Sequence, residues 1–201
     1  MDELTRLAHA ARLGDSRAAE AFIEAAYADV WRLCAALVDE QAADDLAQET
    51  FLRVMRALRR FRGDSSARVW SLAIAKRTCM DELRARQRQR RRQERLQGGA
   101  EQATVGPSGD VEAHDLLRSL DPDRRAAFVL TQLFRLSYEE AAEICDCAVG
   151  TVKSRVSRAR EALRRIIETG DYARDDSRAS ASMGAVLAEL ARLSAGRGMA
   201  A

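Results

Sequence analysis

Between Ser137 and Leu163 the chain reads SYEEAAEICDCAVGTVKSRVSRAREAL. Ser137 with Glu140 three residues later is a capping box, which predicts a helix starting at Tyr138. Ala141, Ala142, Ile144 and Cys145 then fall on one face at helical spacing. Asp146-Cys147-Ala148 breaks that pattern, and Asp suits a turn because its short side chain can bond nearby backbone. A second helix follows, with Val149, Val152, Val156, Ala159 and Leu163 on one stripe. Thr151, Lys153, Ser154, Ser157, Arg158, Arg160 and Glu161 point elsewhere. A short helix, a tight turn and a second helix with a polar, basic outer face is the helix-turn-helix plan, whose second helix enters the major groove of DNA. Arg and Lys suit guanine edges, and Ser and Thr suit either base type or phosphate. The same pattern is compatible with an αα-hairpin that presents a solvated basic face. The Gly150-Thr151 start and the regular basic spacing favour DNA.

The rest of the chain is predicted to be helical too. It has two prolines and eleven glycines in 201 residues, and no run of alternating β-branched residues reads as a strand. A hydrophobic fraction of 47% suffices for compact cores, and the length suggests one or two domains. The 33 basic and 31 acidic residues nearly cancel, so charge is patchy rather than global. Lys76 and Lys153 are the only lysines, so the basic residues are nearly all arginine. No apolar run reaches the length of a membrane span, and the first residues lack a signal peptide's charged-then-apolar order; both point to the cytosol. Cys145 and Cys147 are spaced Cys-x-Cys, not Cys-x-x-Cys, and the two histidines, His9 and His114, stand apart. Cys34, Cys79, Cys145 and Cys147 are therefore expected to be reduced thiols, mostly buried, with no metal site and no cofactor.

Taken in order, Asp2 to Leu13 predicts a short amphipathic helix stopped by Gly14, and Asp15 or Ser16 caps a longer one. That second helix carries Phe22, Ile23, Ala26, Val30, Leu33, Cys34 and Leu37 on its inner stripe. Asp39 to Ala42 reads as a connection. A third helix is predicted from about Ala43 to Arg60, with Leu46, Thr50, Phe51, Val54, Met55 and Leu58 inward. Asp44, Asp45, Gln48, Glu49 and Arg53 lie on its outside, a face that suits either solvent or a partner. Phe61 to Ser66 is a loop by its Gly, Asp and Ser. A fourth helix is predicted from Val69 to about Arg95. Its packed side is Trp70, Ala73, Ile74, the stem of Arg77, Met80 and Leu83; its basic side is Lys76, Arg84, Arg86 and Arg88. A polar loop beside an aromatic and a basic helix can hold bases splayed from a single strand, and is equally an ordinary interhelical connection. The run RARQRQRRRQER leads into a Gly-containing stretch, read as a fraying helix end and a flexible linker. Beyond it come a short helix, Val111 to Leu120, and one capped by Asp121 with Pro122 at its first position. The latter carries Ala126, Val129, Leu130 and Leu133 inward and ends near Arg135.

ADDLAQETFLRV, FRGDSS before Trp70, and LSYEEAAEICDCAVGTVKSRVSRAREAL occur in that order with a linker between them. In this combination residues 15 to 168 resemble the bacterial extracytoplasmic-function sigma factors of the sigma-70 family. EAFIEA, SSARVWSLAIA and VLTQL are similar to actinobacterial members. The resemblance implies an all-α fold of two small helical domains joined by a flexible linker. Residues 1–90 would be sigma region 2, 91–110 the linker, 111–169 sigma region 4 with the helix-turn-helix, and 170–201 a tail. It implies a subunit that binds core RNA polymerase and directs promoter-specific initiation, without catalysis. Asp44, Asp45, Gln48, Glu49 and Arg53 would meet the β′ clamp helices, and the second domain the β flap. Arg62, Gly63, Asp64, Ser65 and Ser66 would capture an unstacked base of the minus-10 element, supported by Trp70, Lys76, Arg77, Asp81 and Arg84. Thr151, Lys153, Ser154, Ser157 and Arg158 would read minus-35 bases, with Arg155 and Arg160 nearer phosphate. An anti-sigma factor is a partner expected of the family, and no membrane insertion is expected.

Two departures stand out. Ala148 occupies a turn position where the family usually has Pro, which implies a less rigid turn. Residues 170–201 exceed the compact family pattern and read as a linker followed by a short amphipathic helix (Val186, Leu187, Leu190, Leu193) or a disordered tail. A lone helix-turn-helix regulator is the main alternative, but it leaves residues 15 to 90 without a role. A sigma-like mimic that titrates an anti-sigma protein is a second; such proteins usually carry a receiver domain, which this sequence does not suggest.

Overall fold

The computed structural model describes residues 1–96 and 113–169. The described residues fold into helices alone, as the sequence predicts. In order they are α1 (Glu3–Arg12), α2 (Ser16–Leu37), α3 (Glu40–Leu58), α4 (Ala67–Leu96), α5 (Ala113–Arg118), α6 (Pro122–Gln132), α7 (Tyr138–Cys145) and α8 (Val149–Thr169). The first four form one domain and the last four a second. The predicted tail helix and most of the predicted linker lie outside the described residues.

Helix starts follow side-chain capping. Asp2, Asp15 and Asp39 each accept a hydrogen bond from the backbone three residues on, at 2.9, 3.0 and 2.8 Å. Asp39 corrects the predicted start of the third helix: its cap lets α3 begin at Glu40, so residues 40–42 are helical rather than a connection. Burial pushes the Asp39 carboxyl up, but the Arg86 guanidinium and the Ala42 N–H outweigh it and hold it below its usual range. Pro122 follows the Asp121 cap, as the sequence indicates. Gly14 stops α1 with φ of 101°, a conformation that side chains with a Cβ rarely adopt.

The first core is built on Phe22, Val30, Leu33 and Leu37 of α2, closed by Val54 of α3 and Leu72 of α4, all fully buried. Each such side chain contributes about 1.5–3 kcal/mol through removal from water. The fourth helix is rotated relative to the predicted face. Val69, Leu72, Ala75 and Cys79 are buried, Trp70, Ala73 and Ile74 only partly, and Arg77 is exposed. Met55 also departs from its predicted inward position, being 37% exposed. The second core is Leu117, Phe128, Leu130, Ile144 and Leu163. α6 ends at Gln132, earlier than predicted, and Arg135 turns the chain with φ of 53°.

The two domains pack against each other, α7 on α4 and α6 on α2. Arg125 of α6 lies in this seam at 5% exposure. It donates to the backbone oxygens of Leu37 (2.6 Å), Arg118 (2.9 Å) and Leu120 (3.2 Å). Burial lowers its pKa to about 10, so the guanidinium remains charged at neutral pH and is solvated by carbonyls instead of water. On the other side of the seam the Arg32 guanidinium sits 5.7 Å from the Phe134 ring centroid.

Candidate nucleic-acid interface

Helix α8 is oriented in part by the turn before it. Both halves of the capping box are made: Ser137 Oγ accepts from Glu140 N at 3.1 Å, and Glu140 Oε2 accepts from Ser137 N at 2.8 Å. Asp146 takes the left-handed conformation (φ 52°, ψ 53°), and Cys147 N donates to Ala142 O at 3.1 Å. The turn is therefore closed by backbone hydrogen bonds around Asp146, with Ala148 exposed beside it. Val152, Val156, Ala159 and Leu163 seat α8 on the core, each at most 1% exposed.

On the opposite face Lys153, Ser154, Ser157, Arg158 and Arg160 are exposed, and Thr151 is half-buried. Arg160 donates to Gln132 Oε1 at 2.7 Å. A basic cavity of about 360 Å³ lies between α7 and α8, lined by Tyr138, Lys153, Ser157, Arg160 and Arg164 among others. Lys153 Nζ stands 5.8 Å from the Tyr138 ring centroid. Tyr138 and Arg164 were missed by sequence reasoning. Arg164 stands seven residues beyond Ser157, on the same face of the helix, and that spacing was the available signal.

Arg155 behaves differently. It donates to Asp123 Oδ2 at 3.1 Å and to Cys147 Sγ at 3.6 Å. Asp123 also receives Lys76 of α4, with Nζ at 3.7 Å. The Lys76 side chain is only 13% exposed, so it lies in the seam rather than on an open basic side. One carboxylate thus joins two cations that the sequence assigns to separate DNA surfaces.

The loop of residues 61–66 leaves α3 at buried Phe61 and enters α4 at buried Ala67, with Arg62, Gly63 and Asp64 exposed and Ser65 and Ser66 half-buried. Gly63 adopts φ of 79°. Ser66 Oγ accepts from Val69 N at 3.2 Å, which fixes the first turn of α4. Trp70 packs on Phe61, with ring centroids 4.9 Å apart and planes at 46°. Trp70 is otherwise half-buried, and Arg77, Asp81 and Arg84 are exposed farther along α4.

The acidic face of α3 carries exposed Asp44, Asp45 and Gln48 and half-buried Glu49 and Arg53. Trp31 Nε1 and Tyr27 Oη both donate to Asp44 Oδ1, at 2.8 and 3.1 Å. Arg53 bridges Asp81 and Glu49, each at 2.8 Å, and these two carboxylates raise its pKa. The α3 face is thereby connected to the helix that follows the loop. Leu52 is 53% exposed in the midst of this polar face, beside Met55. Sequence reasoning missed Leu52, although its spacing of three and four from Glu49 and Gln48 puts it on the same face.

Cys34, Cys79 and Cys145 are buried and Cys147 is half-buried, all as free thiols. Hydrogen bonding with Cys34, then burial, raises Cys79 well above its ordinary value, and burial pushes Cys145 up to about 11. Among the described residues no three His, Cys, Asp or Glu side chains gather as a metal site, and no helix is long and apolar enough to cross a membrane.

Among the described residues, a helix-turn-helix domain follows a four-helix domain, an arrangement suited to a DNA-binding protein. Residues 22–89 match Sigma-70 region 2, and residues 110–163 match Sigma-70, region 4. The chain is 47% identical over 175 residues to the ECF RNA polymerase sigma factor SigC of Mycobacterium tuberculosis, covering 85% of this chain and 94% of the relative. It is 35% identical over 145 residues to the RNA polymerase sigma-H factor of Pseudomonas aeruginosa, covering 65% and 75%. Two solved structures share the fold at 27% identity. One is the sigma factor RpoE in complex with the anti-sigma factor NepR from Bartonella quintana (TM-score 0.58; 74% of this chain, 96% of that chain). The other is CnrH in complex with the cytosolic domain of CnrY (TM-score 0.61; 84% and 99%). The chain belongs to the sigma-70 family and is an ECF sigma factor. Its function is that of an RNA polymerase sigma factor directing transcription initiation.

Proposed function

We propose that this sigma factor divides promoter reading between α8 and the 61–66 loop, and docks on core polymerase through the outer face of α3. The observation that carries the reading is the exposed polar row of α8 on a helix seated by a fully buried apolar stripe. Thr151, Lys153, Ser154, Ser157 and Arg158 face the minus-35 bases in the major groove, and Arg160 and Arg164 take phosphate. Arg155 joins them when it leaves Asp123. The loop from Arg62 to Ser66 holds a minus-10 base out of the stack, with Trp70, Arg77, Asp81 and Arg84 along the opened strand and Lys76 added on the same release. Unstacking costs a few kcal/mol per base, and capture of the extruded base offsets it. Asp44, Asp45, Gln48, Glu49 and Arg53 surround Leu52 in a small apolar centre with a polar rim, the usual anatomy of a protein interface. Its partner is the β′ clamp helices, and the second domain meets the β flap. Residues 1–90, 91–110 and 111–169 serve as polymerase-binding and minus-10 domain, linker and minus-35 domain.

The subunit performs no chemistry of its own and works in the cytoplasm. An anti-sigma protein is a fitting regulator, since both structural relatives above were solved with such a partner or a cytosolic partner domain.

The decisive experiment adds the protein to core polymerase on a defined promoter and measures transcript start. Specific initiation is expected. Free duplex binding with no initiation would favour a stand-alone regulator. Asp45→Arg is expected to lower affinity for core polymerase without changing the helical circular-dichroism signal; normal assembly would count against the α3 surface.

A further inference from the structure

Helix α1 has a second face besides its packed one. Ala8, with Leu4, Leu7 and Ala11, faces the core. Asp2, Thr5, His9 and Arg12 recur at spacings of three and four, which puts them on one stripe of the helix. That stripe runs along the 61–66 loop and touches it at both ends and in the middle.

At the far end, Thr5 Oγ1 accepts from Ala67 N at 2.9 Å and donates to Asp2 Oδ2 at 2.7 Å. Thr5 is 5% exposed, and its hydroxyl satisfies the first N–H of α4 from 62 residues away in sequence. At the near end, Arg12 Nη1 donates to Phe61 O at 3.0 Å. The His9 ring lies against Phe61, centroids 5.2 Å apart and planes at 48°, and Phe61 passes the contact on to Trp70. In the middle, His9 Nε2 stands 2.7 Å from where a Cβ on Gly63 would be. Gly63 therefore fits for two reasons: its φ of 79°, and the imidazole pressed against it.

We infer that α1 sets the conformation of the 61–66 loop, with Thr5, His9 and Arg12 as positioning residues for minus-10 recognition. The inference rests on the loop's role proposed above. None of these three residues falls within the stretch that matches Sigma-70 region 2. A loop that must hold an unstacked base gains from being fixed beforehand, because the ordering entropy is then already spent before DNA arrives.

The test uses the full chain assembled with core polymerase, on fork-junction DNA bearing each base in turn at the minus-10 positions. His9→Ala and Arg12→Ala are each expected to weaken fork binding roughly tenfold, the scale of one net hydrogen bond or ring contact, and to flatten the base preference. Core affinity and minus-35 preference should stay within about twofold, well inside the effect of one such contact. Arg12→Lys retains a donor for Phe61 O and should restore most of the preference; His9→Phe retains the ring against Phe61 and should restore part. Unchanged minus-10 preference in the His9→Ala/Arg12→Ala double variant would overturn the inference. So would equal losses at minus-10, minus-35 and core binding, which mean a general loss of folding. Asp64→Ala, on the loop itself, separates the two levels. If it alters minus-10 preference while the α1 variants do not, the support role of α1 alone fails. If it alters nothing, the loop's own role fails and the inference falls with it.

Discussion

Helix α8 and the 61–66 loop both present polar side chains outward, yet they are held by opposite means. α8 is a rod whose orientation comes from its own buried stripe, packed chiefly on α6, and from the turn just before it. Its exposed side chains can be exchanged without disturbing what holds them. The loop has no regular structure of its own. Its shape depends on Thr5, His9 and Arg12, roughly fifty to sixty residues earlier in the chain, and on a glycine with positive φ. A rod of this kind lends itself to changing sequence preference one side chain at a time. A propped loop holds one geometry and changes it only together with its props.

The sharpest way to break this contrast is to unseat the rod. Leu163→Ala should remove about 2–5 kcal/mol of stability from the second domain, because it leaves a cavity under α8. Thermal melting should fall, and minus-35 dependence should be lost. Fork-junction binding at minus-10 should survive if the loop is held from its own domain. Loss of both together would mean that the domains stand or fall as a unit. Next in size, Arg158→Ala or Ser154→Ala should reduce discrimination at one minus-35 position by about 1–3 kcal/mol, read as a base-specific loss in initiation. An unchanged base preference would sink that assignment. Gly63→Ala should weaken fork binding on the order of 1–3 kcal/mol through backbone strain and the His9 contact. Adding His9→Ala should recover only the steric part, since φ remains positive. The smallest effect should come from Ser137→Ala, which removes one half of the capping box and about 1 kcal/mol. A domain this small should then melt roughly 4–8 °C lower.

Sequence reading reached further into the rod than into the loop, for a physical reason. Caps and periodicity are local, and Ser137, Glu140, Asp121, Pro122 and Gly14 act within a few residues. The start of α3 is not legible because Asp39 caps it only two residues after α2 ends at Leu37, so the cap reads as part of a connection. Lys76 reads as a surface cation, since charge along a helix ordinarily marks solvent, and nothing in the pattern singles out Arg125. Both are covered because partners distant in sequence accept them: Asp123 for Lys76, and the Leu37 carbonyl for Arg125. Likewise the Asp2, Thr5, His9 and Arg12 stripe was visible as spacing, but nothing in the spacing says what it faces.

The long α4 has a mechanical consequence of its own. From Arg86 to Leu96 it stands clear of the protein body and is exposed on every side but for the Arg86–Glu82 and Arg90–Glu94 pairs along its flank and the Arg86–Asp39 pair. As helix this stretch spans about 16 Å. Drawn out it would span about 37 Å. Its helicity rests on marginal forces: exposed ion pairs, weakened by salt, and repulsion among neighbouring arginines. Melting this stretch would lengthen the covalent path between the two domains by roughly 20 Å.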